Sequence, residues 1–149
     1  METVDYRFTK QYQSSLEVSR DVAEDVKSFW LDVGLKEEVI EQIELCLVEL
    51  VNNAYEHAYQ STEGEPIELI SYIKENELVI EITDYGQSMT DDEFEKAINN
   101  TFIEPDPEDP ETWTTSGRGF IIVVQLTDNL EYEKSGKKNT FKLYKKTEA

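Results

Sequence analysis

The order of elements in this chain predicts an α+β fold: a two-layer sandwich whose mixed, mostly antiparallel sheet is covered on one side by helices. Three observations lead there. Two apolar stretches with helical spacing precede the first pair of alternating segments. Two pairs of alternating segments each flank a short turn signal, as β-hairpins do. The 149 residues show no repeat and no linker, so one domain spanning 1–149 is expected.

Each element has a local reason. Val4–Phe8 alternates weakly and reads as a short strand. Ser14 and Glu17 have the spacing of a capping box, and Val22, Val26, Phe29, Trp30 and Val33 follow at helical intervals until Gly34 supplies a stop. A longer helix is expected from about Lys36 to Gln60, with no Gly or Pro inside it and an apolar stripe of Ile40, Ile43, Leu47, Leu50, Val51, Ala54 and Ala58. Ile67–Ile73 and Glu77–Thr83 alternate around Glu75-Asn76 and predict a hairpin. A polar turn over 84–88 and a short helix, Asp91–Asn99, come next. Residues 101–116, rich in Pro, acid and Thr, have no periodicity; an insert of that length in a compact domain reads as a binding loop or lid. Gly117-Arg118-Gly119 then opens a helix through Leu126, and Leu130–Glu133 with Thr140–Lys145 forms a last hairpin around Ser135-Gly136.

Composition narrows the function. A net charge of −19 sets the surface against a phosphate backbone and argues against direct nucleic-acid binding. Six lysines fall within residues 134–146, which hold no acid, so the rest of the chain is more negative still. Phe141, Leu143 and Tyr144 among them make that cluster read as a strand with a solvated face, against the alternative of a basic patch. The longest apolar run, Phe120–Val124, is far short of the roughly 20 residues of a membrane span. No signal peptide is read at the N-terminus, and a lone Cys46 among apolar residues suits a reducing cytoplasm.

Three places carry possible chemistry. Glu49, Asn53 and His57 recur at i, i+4 and i+8, within about an 80° arc on one edge of the long helix. A carboxylate and a carboxamide one turn apart offer oxygen ligands to Mg²⁺, which takes few protein ligands when phosphates supply the rest, and a Glu there can orient or deprotonate a nucleophile. Asp84-Tyr-Gly86 follows an apolar strand; Asp can accept from an exocyclic amine, and glycine lets backbone approach a planar ring. Ser116-Gly117-Arg118-Gly119 opens a helix, where free N–H groups make an anion site, although neither a P-loop nor a dinucleotide fingerprint is present. Taken singly, the first reads sooner as a polar helix edge and the second as an ordinary turn, while the third reads equally as a glycine-rich helix entry.

In this order, the three elements resemble the GHKL (Bergerat-fold) ATPases. The run from Glu49 through Asn53 to His57 resembles their N box, Asp84-Tyr-Gly86-Gln-Ser-Met89 the first glycine box, and Ser116-Gly-Arg-Gly-Phe120 the second. The closing run, Gly-Arg-Gly-Phe-Ile-Ile-Val-Val-Gln-Leu-Thr-Asp128 and then Asn139-Thr-Phe-Lys-Leu143, is similar to that of the bacterial anti-sigma-factor serine/threonine-protein kinases. The likeness covers roughly residues 5–146. It implies Glu49 as catalytic base or orienter, Asn53 as Mg²⁺ ligand, Asp84 against the adenine amine and Gly86 against the ring. Met89 falls within the nucleotide site, Ser116, Gly117, Arg118, Gly119 and Phe120 lie around the phosphates, and Thr140 helps hold adenine. ATP and Mg²⁺ are the implied ligands, with 101–116 as ATP lid.

The family's substrate is a serine or threonine on a STAS-domain anti-sigma antagonist. Its members also sequester a sigma factor and often dimerise. A nucleotide-sensing binding module that transfers no phosphate is the alternative, against which the retained Glu49 argues. Two departures stand out: Ser88 occupies the usual second glycine of the first box, and the lid holds five acids, Glu104, Asp106, Glu108, Asp109 and Glu111, which would repel a triphosphate if they pointed inward. They are expected to face solvent or a partner.

Overall fold

The computed structural model describes residues 7–99 and 122–147. The expected lid, the second glycine box with Ser116 to Phe120, and Val4 to Tyr6 of the first expected strand lie outside the described residues. Within them the chain runs β1 (Arg7–Gln13), α1 (Val18–Asp32), α2 (Glu37–Asn53), a π-helical turn (Ala54–Ala58), β2 (Pro66–Lys74), β3 (Glu77–Asp84), α3 (Asp91–Asn99), a helical segment over 122–126, β4 (Asn129–Ser135) and β5 (Lys138–Lys146). The sheet order is β1-β2-β3-β5-β4, and all four pairings are antiparallel, so the sheet expected to be mixed or mostly antiparallel is wholly antiparallel among the described residues.

Strand alternation divides the sheet into two faces. Ile67 and Leu69 of β2, Leu78, Ile80 and Ile82 of β3, and Phe141 and Leu143 of β5 point one way and are buried. Against them lies the stripe of α2 (Ile40, Ile43, Leu47, Leu50 and Val51), continued by Ala54 of the π turn, every member no more than 1% exposed. Trp30 of α1 is fully buried, and its indole N–H donates to Ser71 Oγ at 3.1 Å, so the one polar atom of each partner is satisfied inside the core. Side chains of that size contribute roughly 1.5–3 kcal/mol each when removed from water, which makes this face the main stabilising feature.

Turn chemistry settles the joints. Gly34 (φ +88°) follows the C-cap of α1; its N–H donates to Leu31 O and that of Leu35 to Trp30 O, both at 3.1 Å, the Schellman pattern that the glycine stop foreshadowed. Gly34→Ala should cost about 1–2 kcal/mol, read as a lower urea midpoint, because an L side chain resists the left-handed conformation. Glu75 and Asn76, both left-handed, form the tight turn between β2 and β3. Thr90 and Glu93 form a reciprocal capping box at the start of α3. Phe94 then docks that helix on Tyr132 and Phe141 at ring distances of 5.6 and 6.4 Å.

Three local expectations fail for tertiary reasons. Ser14 does not cap α1; its hydroxyl donates to Thr62 O (2.6 Å) and accepts from Glu65 N–H (3.0 Å), which fastens the end of β1 to the chain entering β2. Among the described residues the first strand continues past Phe8 to Gln13, because β2 offers it seven paired positions. The long helix is not α-helical to Gln60. After Asn53 the backbone widens into the π turn, where Tyr59 N–H donates to Ala54 O (3.0 Å), and Tyr55 and Tyr59 turn inward to 8% exposure.

Candidate functional site

The last row of the sheet's inner face carries two buried polar side chains. There the cross-strand neighbours are Ile67, Asp84 and Asn139, with Asp84 3% exposed and Asn139 fully buried. A buried carboxylate is costly unless hydrogen-bonded. Asp84 Oδ1 accepts from Gly86 N–H (3.0 Å) and from Asn139 Nδ2 (2.9 Å). Among the described residues, no donor meets Oδ2. Burial holds the Asp84 carboxyl above the usual carboxylate range, although those two donors pull it down. A buried carboxyl oxygen that no described donor meets is suited to a ligand that brings an N–H donor.

The turn after Asp84 is held from both sides. On the helix side, Gln87 N–H donates to Ala58 O (2.8 Å) and Tyr85 N–H to Tyr59 Oη (2.7 Å), while the Tyr59 hydroxyl donates to Pro66 O. Gly86 packs directly on the π turn. A Cβ added there would stand 2.6 Å from the Ala58 carbonyl carbon and 2.8 Å from Tyr59 Cδ1, with the Ala58 oxygen closer still. The direction a Gly86 side chain would take is thus filled by protein, so the packing of the turn on the helix end by itself demands glycine here. On the strand side, Asn139 Nδ2 also donates to Gly86 O (3.0 Å) and the Ser88 hydroxyl donates to Asn139 Oδ1 (2.5 Å). Met89 is clamped through its backbone, its N–H on Tyr132 Oη (2.9 Å) and its carbonyl on Lys134 Nζ (3.0 Å).

Glu49 and Asn53 sit one turn apart near the end of α2, both half-buried, and among the described residues neither side chain has a hydrogen-bond partner. Burial, and after it the charge of Glu56, holds the Glu49 carboxyl above its ordinary range. His57 does not share their edge as α-helical spacing implied. It lies in the π turn and is exposed. Thr140 also departs from expectation: it lies opposite Thr83 on the other face of the sheet from Asp84, and its hydroxyl bonds that of Thr83 at 2.9 Å. Strand alternation gives the place beside Asp84 to Asn139, which the spacing of motifs did not single out. Knowing that β3 pairs with β5 in this register was the missing signal.

The donor set fits Mg²⁺ as a phosphate-bound ion. Among the described residues no three His, Cys, Asp or Glu side chains gather into a metal cage, whereas the Asn53 carboxamide oxygen is unpartnered. No helix among the described residues is long and apolar enough to cross a membrane.

A sheet covered on one face by helices, with a buried acid at the end of its middle strand and an N-box helix end packed on the acid's turn, defines a class. Residues 12–145 match the histidine kinase-like ATPase domain, and the chain belongs to that family. Its relatives in sequence include the anti-sigma F factor of Clostridium acetobutylicum, 30% identical over 81% of this chain and 79% of the relative. The anti-sigma F factor of Caldanaerobacter subterraneus subsp. tengcongensis is 31% identical over 69% of this chain and 66% of its own length. In structure, the RsbU and RsbW domains of Rv1364c from Mycobacterium tuberculosis superpose with a TM-score of 0.64 at 14% identity, over 94% of this chain and 32% of that one, a likeness of fold. The resemblance read from the motifs therefore stands at the level of family, fold and anti-sigma-factor relatives.

Proposed function

We propose that this chain is an ATP- and Mg²⁺-dependent serine/threonine protein kinase that phosphorylates a STAS-domain anti-sigma antagonist and also sequesters a sigma factor in the cytoplasm. The observation that carries the reading is Asp84 Oδ2, which no donor meets among the described residues. It is a buried acceptor on a turn packed against the end of the helix that bears Glu49 and Asn53. Asp84 takes the exocyclic amine of the purine, and the turn between Tyr85 and Met89 fixes the base. Asn53 supplies a carboxamide oxygen to Mg²⁺, which neutralises phosphate charge when bound. Glu49 orients the acceptor hydroxyl and takes its proton, with transfer following from position and electrostatics. Gly117, Arg118 and Gly119 are assigned to the phosphates by the family motif alone.

A time course with γ-labelled ATP and a cognate STAS protein tests this. Label on the partner is the expected result. Nucleotide-dependent complex formation without label would instead establish a binding module that transfers no phosphate. Asn53→Ala should remove the Mg²⁺-dependent part of ATP retention, measured as the ratio of ATP affinities with and without Mg²⁺. Saturating Mg·ATP at about 100 times its dissociation constant should stabilise the wild-type protein by about 2.7 kcal/mol in thermal unfolding.

A further inference from the structure

We infer that Asn139 and Ser88 are positioning residues that set the purine preference of the site, by fixing which atom at position 84 faces the base. The inference rests on the nucleotide reading above and adds to it a role for two side chains that reading does not use.

The argument starts from the Asn139 amide. Its carbonyl oxygen accepts from the Ser88 hydroxyl, and its NH₂ group donates to both Asp84 Oδ1 and Gly86 O. Turned by 180°, the amide would set its oxygen against a carboxylate and a carbonyl, and its NH₂ against the Ser88 oxygen, losing both bonds to acceptors. One orientation is therefore enforced by those two acceptors, and the Ser88 hydroxyl, standing where the motif usually has glycine, supplies the donor that the buried amide oxygen then needs. With Asn139 and Gly86 N–H both on Oδ1, the atom left for a ligand is Oδ2, an acceptor only. A purine with a donor at its six-position (the amine of adenine) satisfies it. One with an acceptor there (the carbonyl of guanine) leaves two oxygens facing in a buried setting. Donation from Asn139 also favours the ionised form of a carboxyl that burial would neutralise, and a neutral carboxylic acid could itself donate to guanine.

A sharper consequence concerns Asp84→Asn. The two N–H donors on the Oδ1 position require an acceptor there, so the new amide must place its oxygen towards Asn139 and its NH₂ where Oδ2 was. The atom facing the base is then a donor. The protein should lose affinity for ATP while gaining or keeping affinity for GTP.

The test is the ratio of GTP to ATP dissociation constants, measured by calorimetry with Mg²⁺ on wild type, Asp84→Asn, Asn139→Ala, Asn139→Thr and Ser88→Ala, with thermal unfolding to confirm that each is folded. The ratio should fall by about tenfold or more in Asp84→Asn and Asn139→Ala, since one hydrogen bond in a dry site carries about that much. Ser88→Ala, the mildest change, should narrow it severalfold, and Asn139→Thr, which restores a donor to Oδ1, should recover the wild-type ratio. Merely structural roles would weaken both nucleotides together. A ratio unmoved in folded Asp84→Asn and Ser88→Ala, with wild type binding ATP, overturns this inference and leaves the nucleotide reading intact. Wild type that binds neither nucleotide overturns both.

Discussion

Replacing Glu49 by Ala should slow phosphorylation of a STAS partner by about 10²–10⁴-fold, the usual contribution of a positioned base, while ATP affinity stays within about threefold of wild type. The split follows from placement. Glu49 is on α2, one turn before Asn53, and among the described residues it has no hydrogen-bond partner. Asp84, the acid assigned to the base, is on another element altogether, the end of β3. Loss of the Glu49 carboxylate therefore removes a group from the reacting end and none from the base-binding end. Single-turnover kinetics separates the two; a wild-type rate in Glu49→Ala would falsify the role.

The same carboxyl predicts an opposite effect on stability. Burial and Glu56 raise its pKa on folding, so in the window between its unfolded and folded values the native state binds more protons than the unfolded chain. Its ionisation above that window costs the fold stability. Glu49→Gln should accordingly raise Tm slightly at neutral pH while losing activity, a trade-off common at functional sites. The phosphorylation rate of the wild type should fall on acidification at a higher pH than an ordinary glutamate would give.

Gly86→Ala should disable nucleotide binding and destabilise the fold together. The added methyl would overlap the Ala58 carbonyl group and crowd Tyr59 Cδ1 at 2.8 Å. Backbone on the helix side cannot give way as a side chain can, because Ala58 O is held by Gln87 N–H and the Tyr59 ring by two hydrogen bonds through its hydroxyl. The turn must therefore lift. Lifting it breaks the Gln87 bond and strains those from Gly86 to Asp84 and from Asn139 to Gly86 O. Overpacking of this kind costs about 1–3 kcal/mol, to be read from the urea midpoint. ATP affinity should fall by about tenfold or more, since Asp84 loses the N–H that aims it. Gly34→Ala is the control: it strains the end of α1, far from this turn in the chain, and should lower stability with the ATP dissociation constant unchanged in the folded protein. A Gly86→Ala protein with wild-type affinity and midpoint would show that the turn does not depend on its seat against the helix end.

Much of this molecule was legible locally. Alternation at Ile67–Ile73 and Glu77–Thr83, with a left-handed pair at Glu75-Asn76 between them, specifies a hairpin through chemistry confined to a few residues. The glycine stop at 34 and the apolar stripe of α2 are equally local, and so are the motif residues Asn53, Asp84 and Gly86. The errors fell where a distant partner outbid the local preference. Ser14 had a cap available at Glu17, yet bonds Thr62 and Glu65, which lie 48 and 51 residues away. The helix after Asn53 had no breaker in its sequence, yet it widens as Tyr59 reaches the chain at Pro66 and Tyr85.

The chain's own order of residues was enough to fix the elements, the family and which acid and amide to watch, because propensity, alternation and turn chemistry act over a handful of positions. Folding in three dimensions chose Asn139 over Thr140 as the neighbour of Asp84, put His57 out in solvent, and assigned Gly86 to a seat on the helix end. Those choices depend on the pairing of β3 with β5 across 55 residues and on one extra residue in a helical turn. A shift of a single position in either would send a different side chain to the same place, and no short-range pattern records such a shift.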